Sequence, residues 1–263
     1  MHSDAFDRYH DTESFIHRLD PRVKVVVTIA FILSNALLPD GAWLAFGLAW
    51  LFLLLVNALS NLGLGFTFKR SFVALPFALV AITVLFSIPG KPVSTFHFLM
   101  WKLTVTDMGL LRFMSILVRS WLSVQMAIML VAVARFPDIV HALEHLRVPS
   151  ILTTIIAFLY RYLFVLVDEV FRLLRARESR SAAAAGSRSG GSVAWRARVA
   201  GNMAGQLFLR SYERSDRVYN AMLARGYAGH LMTINPHELR NIDYVTAVLA
   251  ISLILLLQVI GRL

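Results

Sequence analysis

Residues 151–180, ILTTIIAFLYRYLFVLVDEVFRLLRARESR, begin like a membrane span and finish like a helix in water. The fold depends on which half governs their placement. Residues 151–167 reach the roughly 17–25 residues that a bilayer core requires, but they contain Arg161. If they crossed, the chain from there to Asp243 would lie outside with thirteen arginines, from Arg161 to Arg240. That opposes the gathering of Lys and Arg on the cytoplasmic side. The stretch therefore reads as one long helix starting after the Pro149-Ser150 boundary. Its apolar half packs on a membrane domain and its "DEVFRLLRARESR" half lies in water.

The rest of the chain frames that choice. With 57% hydrophobic residues, 16% charged and a mean hydropathy of +0.65, 263 residues carry more apolar surface than a soluble core can hide. The expected class is an all-α integral membrane protein. Five spans are expected at residues 23–38, 42–59, 72–88, 115–134 and 244–260. Arg18, Arg22 and Lys24 precede or open the first span, Lys69 and Arg70 follow the second, and the turn at 39–41 has no Lys or Arg. The N-terminus therefore belongs in the cytoplasm and the C-terminus outside, with Ser187 inside and Arg262 outside. Lys91 and Lys102 in the outer loop 89–109 are exceptions to the rule. The division is a tail and four spans at 1–134, cytoplasmic helices at 135–240 and a last span at 241–263.

The net charge is +10, and 22 of the 26 basic residues are Arg. Such a surface suits acidic proteins or lipid head groups, and nothing beyond charge supports nucleic acid. The lack of cysteine excludes disulfides, thiolate metal sites and a thiol nucleophile. The first twenty residues are polar and mixed in charge, unlike a cleavable signal peptide.

Gly and Ser in "SAAAAGSRSGGS", residues 181–192, mark a flexible turn. A second water-facing helix of about fifty Å at 1.5 Å per residue follows over residues 193–225, antiparallel to the first. Glu213 and Arg217 have the favourable i,i+4 spacing, and Gly226 ends the helix. Locally, Ala224-Arg225-Gly226 is a good helix end: Arg complements the dipole and Gly supplies the left-handed residue. Both long helices end in an Arg-bearing turn, however, and such ends can insert into acidic grooves of a two-fold partner.

Three segments, "HRLDPRVKVV" (17–26), "RFPDIVHALEHLRVP" (135–149) and "RSDRVYNAMLARGYAG" (214–229), resemble the transmembrane coupling (T) components of energy-coupling factor (ECF) transporters, among the ATP-binding-cassette importers. The likeness covers nearly the whole chain and is strongest to the cobalt/nickel type (CbiQ). It implies a non-catalytic, multi-pass subunit of the cell inner membrane with no cofactor. It also implies two cytoplasmic ABC ATPase subunits and a substrate-binding membrane subunit as partners, and a role in cobalt transport and cobalamin biosynthesis. In that family two Ala-Arg-Gly signatures dock into the paired ATPases. The second is matched by Ala224, Arg225 and Gly226. The first falls on Ala176, Arg177 and Glu178, where Glu replaces Gly and an acid opposes approach to an acidic groove.

"HALEH", residues 141–145, fits the H-x-x-E-H pattern of inverted zinc proteases, with His141 and His145 on one helix face beside Glu144. The pattern is weakly specific and the site needs a further ligand. The piece reads instead as a short amphipathic helix turning Ile139, Val140, Leu143 and Leu146 towards apolar neighbours. A zinc-dependent membrane protease and a lipid-binding scaffold are the competing functions. His2, Asp4, Asp7, His10, Asp11, Glu13 and His17 form a polar tail without evident metal spacing. Arg119 reads either as a functional charge at depth or as a snorkelling one, and Arg112 as snorkelling. No phosphate-cradling loop, nucleophile elbow or acid pair with a pocket is present in the sequence.

Overall fold

The computed structural model describes Tyr9, Thr12 and residues 14–98, 101–180, 192–229 and 239–263. Tail residues His2, Asp4, Asp7, His10, Asp11 and Glu13, and Ser187 with most of the expected turn, lie outside the described residues. The chain forms two units, Met1–Ala142 with Pro236–Leu263, and Leu143–Asn235.

The first unit is a helical membrane domain. Its α1, Pro21–Leu37, starts where the sequence provides both signals: Asp20 accepts the Arg22 N–H at 2.8 Å and Pro21 occupies the first turn. It stops at Leu37, just before the extended Leu38 that precedes Pro39. Next comes α2, Trp43–Ser60. The third expected span is broken into α3, Leu64–Arg70, a 3₁₀ turn at Ser71–Ala74, and α4, Leu75–Ser87, with Pro76 in the first turn of α4. The two arms bend by 57°, as expected where proline removes a backbone donor.

Strands β1, Pro92–Phe98, and β2, Trp101–Thr106, pair antiparallel in the loop beyond α4, an addition to the helical fold that the sequence reading lacked. The helix α5, Asp107–Val133, begins eight residues before the expected start of the fourth span. Thr106 caps it by accepting the Gly109 N–H at 3.1 Å, and Asp107 complements the dipole. A Cβ at Gly109 would lie 2.7 Å from the Leu85 carbonyl oxygen, so only glycine allows α4 and α5 to approach this closely. The last span, α9, is Asn241–Ile260.

Phe31, Leu122, Ala45, Ala49 and Leu53 centre the core where α1, α2, α5 and α9 meet. Ala45 and Ala49, one turn apart, let backbones pack closely, as small residues do inside membranes. Polar side chains add directional ties. Asn35 donates to the Arg119 carbonyl and to Ser123 Oγ, both at 2.9 Å, and Asn57 donates to Thr67 Oγ1 at 2.7 Å. Arg112 and Arg119 both reach Asp40 in the α1–α2 turn, at 3.3 and 3.2 Å. Arg119 also donates to the Leu38 carbonyl at 2.7 Å. The deeper arginine thus clasps the turn to α5.

Among the described residues α2, α5, α7 (Ser150–Ser179) and α9 are by length and composition apolar enough to cross a membrane, and the broken α3–α4 pair makes a fifth where it serves as one span. The chain is an all-α integral membrane protein carrying one small β-hairpin. With 17 residues, α1 stands at the lower limit for a span.

Between α5 and α7 runs α6, Phe136–His145. Its amphipathic character agrees with the sequence, but its buried residues are Val140 and Ala142, while Leu146, expected to face apolar neighbours, is 40% exposed beyond the helix end. The second unit contains α7 and α8, Val193–Ala224. Ser192 caps α8 by accepting the Trp195 N–H.

Candidate functional site

The two arginine-bearing ends belong to the second unit. At the end of α8 the carbonyls left open by the last turn are closed in a paired pattern. The Gly226 N–H donates to the Leu223 carbonyl and the Tyr227 N–H to the Met222 carbonyl, both at 3.0 Å. This is the Schellman arrangement, in which the residue after the cap must be left-handed. Gly226 has φ +83° with nothing within 4 Å of an added Cβ. Backbone conformation, and not space, therefore requires glycine here. Arg225 is the cap itself, and its side chain is exposed at the turn. It forms no ion pair with another described residue. Ala224 is exposed beside it.

The end of α7 is built differently. Ala176, Arg177 and Glu178 are still helical, and Arg180 is the cap. Arg177 is half-buried while Ala176 and Glu178 are exposed. Because the helix runs through Glu178, the missing glycine leaves no conformational defect, only an acid next to the arginine.

The helices meet over a short stretch in opposite senses. Ile151, Ile155 and Tyr162 of α7 line one cleft with Met222, Tyr219 and Ser215 of α8. Further on, Glu169 accepts from Arg210 Nη1 at 2.5 Å and lies 3.1 Å from Arg172 Nη2. The Arg210 hydrogen bond, helped by the charges of Arg172 and Arg214, holds the Glu169 carboxyl below the usual carboxylate range. From this bridge Arg177 is eight residues along α7 and Arg225 fifteen residues along α8. At about 1.5 Å per residue the two ends lie on opposite sides of the bridge, up to about 35 Å apart. The geometry therefore gathers each signature locally and presents the two separately.

Glu169 was missed in the sequence, although it is an acid at the point where an apolar run gives way to arginines. Arg217 lies 3.9 Å from Glu213, both largely exposed, and Arg161 is exposed. His141 and Glu144 are half-buried and His145 exposed. Among the described residues no three His, Cys, Asp or Glu side chains form a group able to hold a metal.

A family model described as cobalt transport protein, CbiQ, matches residues 12–234. The chain belongs to the CbiQ family. It is 26% identical to an uncharacterized protein of Methanocaldococcus jannaschii over 98% of this chain and 86% of that one. Two energy-coupling factor transporter transmembrane proteins, EcfT, are each 27% identical to it. The one from Acidaminococcus fermentans is matched over 95% of this chain and 94% of its own length. For the one from Leuconostoc gelidum the shares are 86% and 85%. This CbiQ-family chain is accordingly a transmembrane component of the energy-coupling factor class, and both signatures lie inside the matched region.

Proposed function

We propose that this protein transmits ATP-driven motion from two cytoplasmic ABC ATPase subunits to a substrate-binding membrane subunit, for uptake of cobalt or nickel. The separation of two arginine-bearing helix ends, Arg225 exposed and Arg177 half-buried, on either side of one bridge supports this reading most. A two-fold pair of ATPases has two equivalent grooves, and two ends about 35 Å apart at most can address one each. Arg177 and Arg225 are the docking cations, with Ala176, Glu178, Ala224 and Gly226 shaping their approach. Long helices move as levers, and the membrane partner changes state only if its contacts with them differ between states.

The N-terminus lies in the cytoplasm of a cell whose inner membrane holds the spans, and residues 151–167 do not cross it, in keeping with the arginine distribution. The metal substrate follows the description of the matched family. The catalytic step of ATP hydrolysis belongs to the ATPases.

Co-expression with ABC ATPases and a substrate-binding membrane subunit of the same organism tests the proposal. A complex with two ATPase subunits per chain and ATP-dependent uptake of labelled Co²⁺ or Ni²⁺ is expected. A chain that purifies without ATPases, or uptake indifferent to ATP, overturns it.

A further inference from the structure

Two carboxylates, Asp20 and Asp243, are buried together beside the half-buried Lys24 at the end of the membrane unit where α1 and α9 start and α5 stops. Asp243 is 2% exposed and both its oxygens are engaged. Oδ1 accepts the backbone N–H of Asp20, 223 residues away in sequence, at 3.0 Å. Oδ2 accepts the Arg240 N–H at 2.9 Å, satisfying the backbone donor at the N-cap of α9. Asp20, 4% exposed, caps α1 through Oδ1, while its buried Oδ2 has no hydrogen-bond partner among the described residues. Lys24 Nζ donates to the His17 carbonyl at 2.9 Å and lies 3.5 Å from the carbonyl of Val133, the last residue of α5. Its charge faces Asp138 of α6, Asp20 and Asp243. One cluster thus ties the segment before α1, α1 itself, the α5–α6 junction and the start of α9.

Stability alone is a poor reason for this arrangement, because well-packed apolar side chains usually do as well as buried charges. Resistance to sliding is a better one. Inside a bilayer no hydrophobic force holds helix to helix, so packing and hydrogen bonds between helices set their register. Charge-assisted hydrogen bonds to backbone groups fix a single geometry and resist displacement. The cluster also sits where the chain passes into α6, the route along the polypeptide from the spans to the long helices.

We propose that Asp243, Asp20 and Lys24 form the joint through which thrust passes between the coupling helices and the spans, as positioning residues for transport. This rests on the coupling role proposed above. The test uses the complete reconstituted complex and reads substrate moved per ATP hydrolysed, with exposed Asp216→Asn as control. Asp243→Asn sets an amide NH₂ against a backbone N–H, and Lys24→Met removes the ammonium while keeping the stem. Each is expected to retain the ATPases, keep ATP hydrolysis within about twofold and lower transport per ATP by about tenfold.

Transport and hydrolysis falling together with loss of subunits would assign the cluster a purely structural role and overturn the joint. Asp20→Asn is the gentler arm, because its capping oxygen is kept and Oδ2 has no partner to lose. With melting temperature and assembly at wild-type values, its transport per ATP is expected to fall by about threefold or more, and an unchanged ratio there refutes the joint. A wild-type complex without ATPases refutes the coupling role itself, whereas a working wild type with variants of normal ratio refutes the joint alone.

Discussion

The membrane unit and the pair of long helices satisfy their side chains in opposite ways. In the first, Phe31 is 1% exposed and stacks on Phe52, and Asn35 finds partners on α5. In the second, the 32 residues of α8 bury none of their side chains, and Phe208 and Tyr212 stand 68% and 61% exposed. A region with its own core fixes its geometry by itself. Among the described residues the other is joined by one ionic bridge between its helices and by apolar contacts, and its exposed aromatic and arginine side chains remain available to other molecules.

Core disruption tests this contrast at its strong end. Phe31→Ala opens a cavity and should cost roughly 2–4 kcal/mol, somewhat below the usual range because the bilayer removes part of the transfer penalty. Thermal melting in detergent should show it, whereas Phe208→Ala should leave the melting temperature of the isolated chain nearly unchanged. Equal losses at the two sites would erase the distinction.

A smaller effect is expected at the helix end. Gly226→Ala forces a Cβ into the left-handed region and should cost about 1 kcal/mol, read as faster amide exchange in the last turn of α8. Exchange at the wild-type rate would show that the paired hydrogen bonds do not define this end.

The smallest expected effect is the pH dependence of the bridge. Because Arg210 holds the folded Glu169 pKa below its unfolded value, the bridge contributes fully above the unfolded carboxylate range and is lost as pH falls through the lower folded value. A distance probe across α7 and α8 should therefore be flat from neutral pH down to the ordinary carboxylate range and open only below it. Arg210→Gln should move that opening to higher pH.

Several elements were legible in the sequence because their signals are local. Pro149-Ser150 starts α7 and Gly226 ends α8, each through a backbone restriction confined to one turn. The β-hairpin and the early start of α5 were not legible, since an apolar count treats residues 92–114 as a loop while strand pairing and the Thr106 cap organise them. The break at Pro76 was overlooked because hydropathy is blind to a missing backbone donor. Contacts distant in sequence were the hardest: Asp20 with Asp243, Arg119 with Asp40, and Glu169 with Arg210 join residues that no local pattern links. Arginine ends at 177 and 225 could be named from sequence, but their placement on opposite sides of a bridge could not.

Charge reversal at both ends, Arg177→Glu with Arg225→Glu, tests the coupling role most directly when retention of the ATPase subunits and ATP-dependent metal uptake are measured together. If each arginine meets an acid in a groove, reversal leaves that acid facing a like charge. The cost per end should be at least about 2–5 kcal/mol, which is thirty-fold or more in affinity. The account predicts a chain that still melts at the wild-type temperature but retains no ATPase and supports no uptake. Wild-type retention and uptake in the double variant would contradict it and leave both arginines as ordinary helix ends.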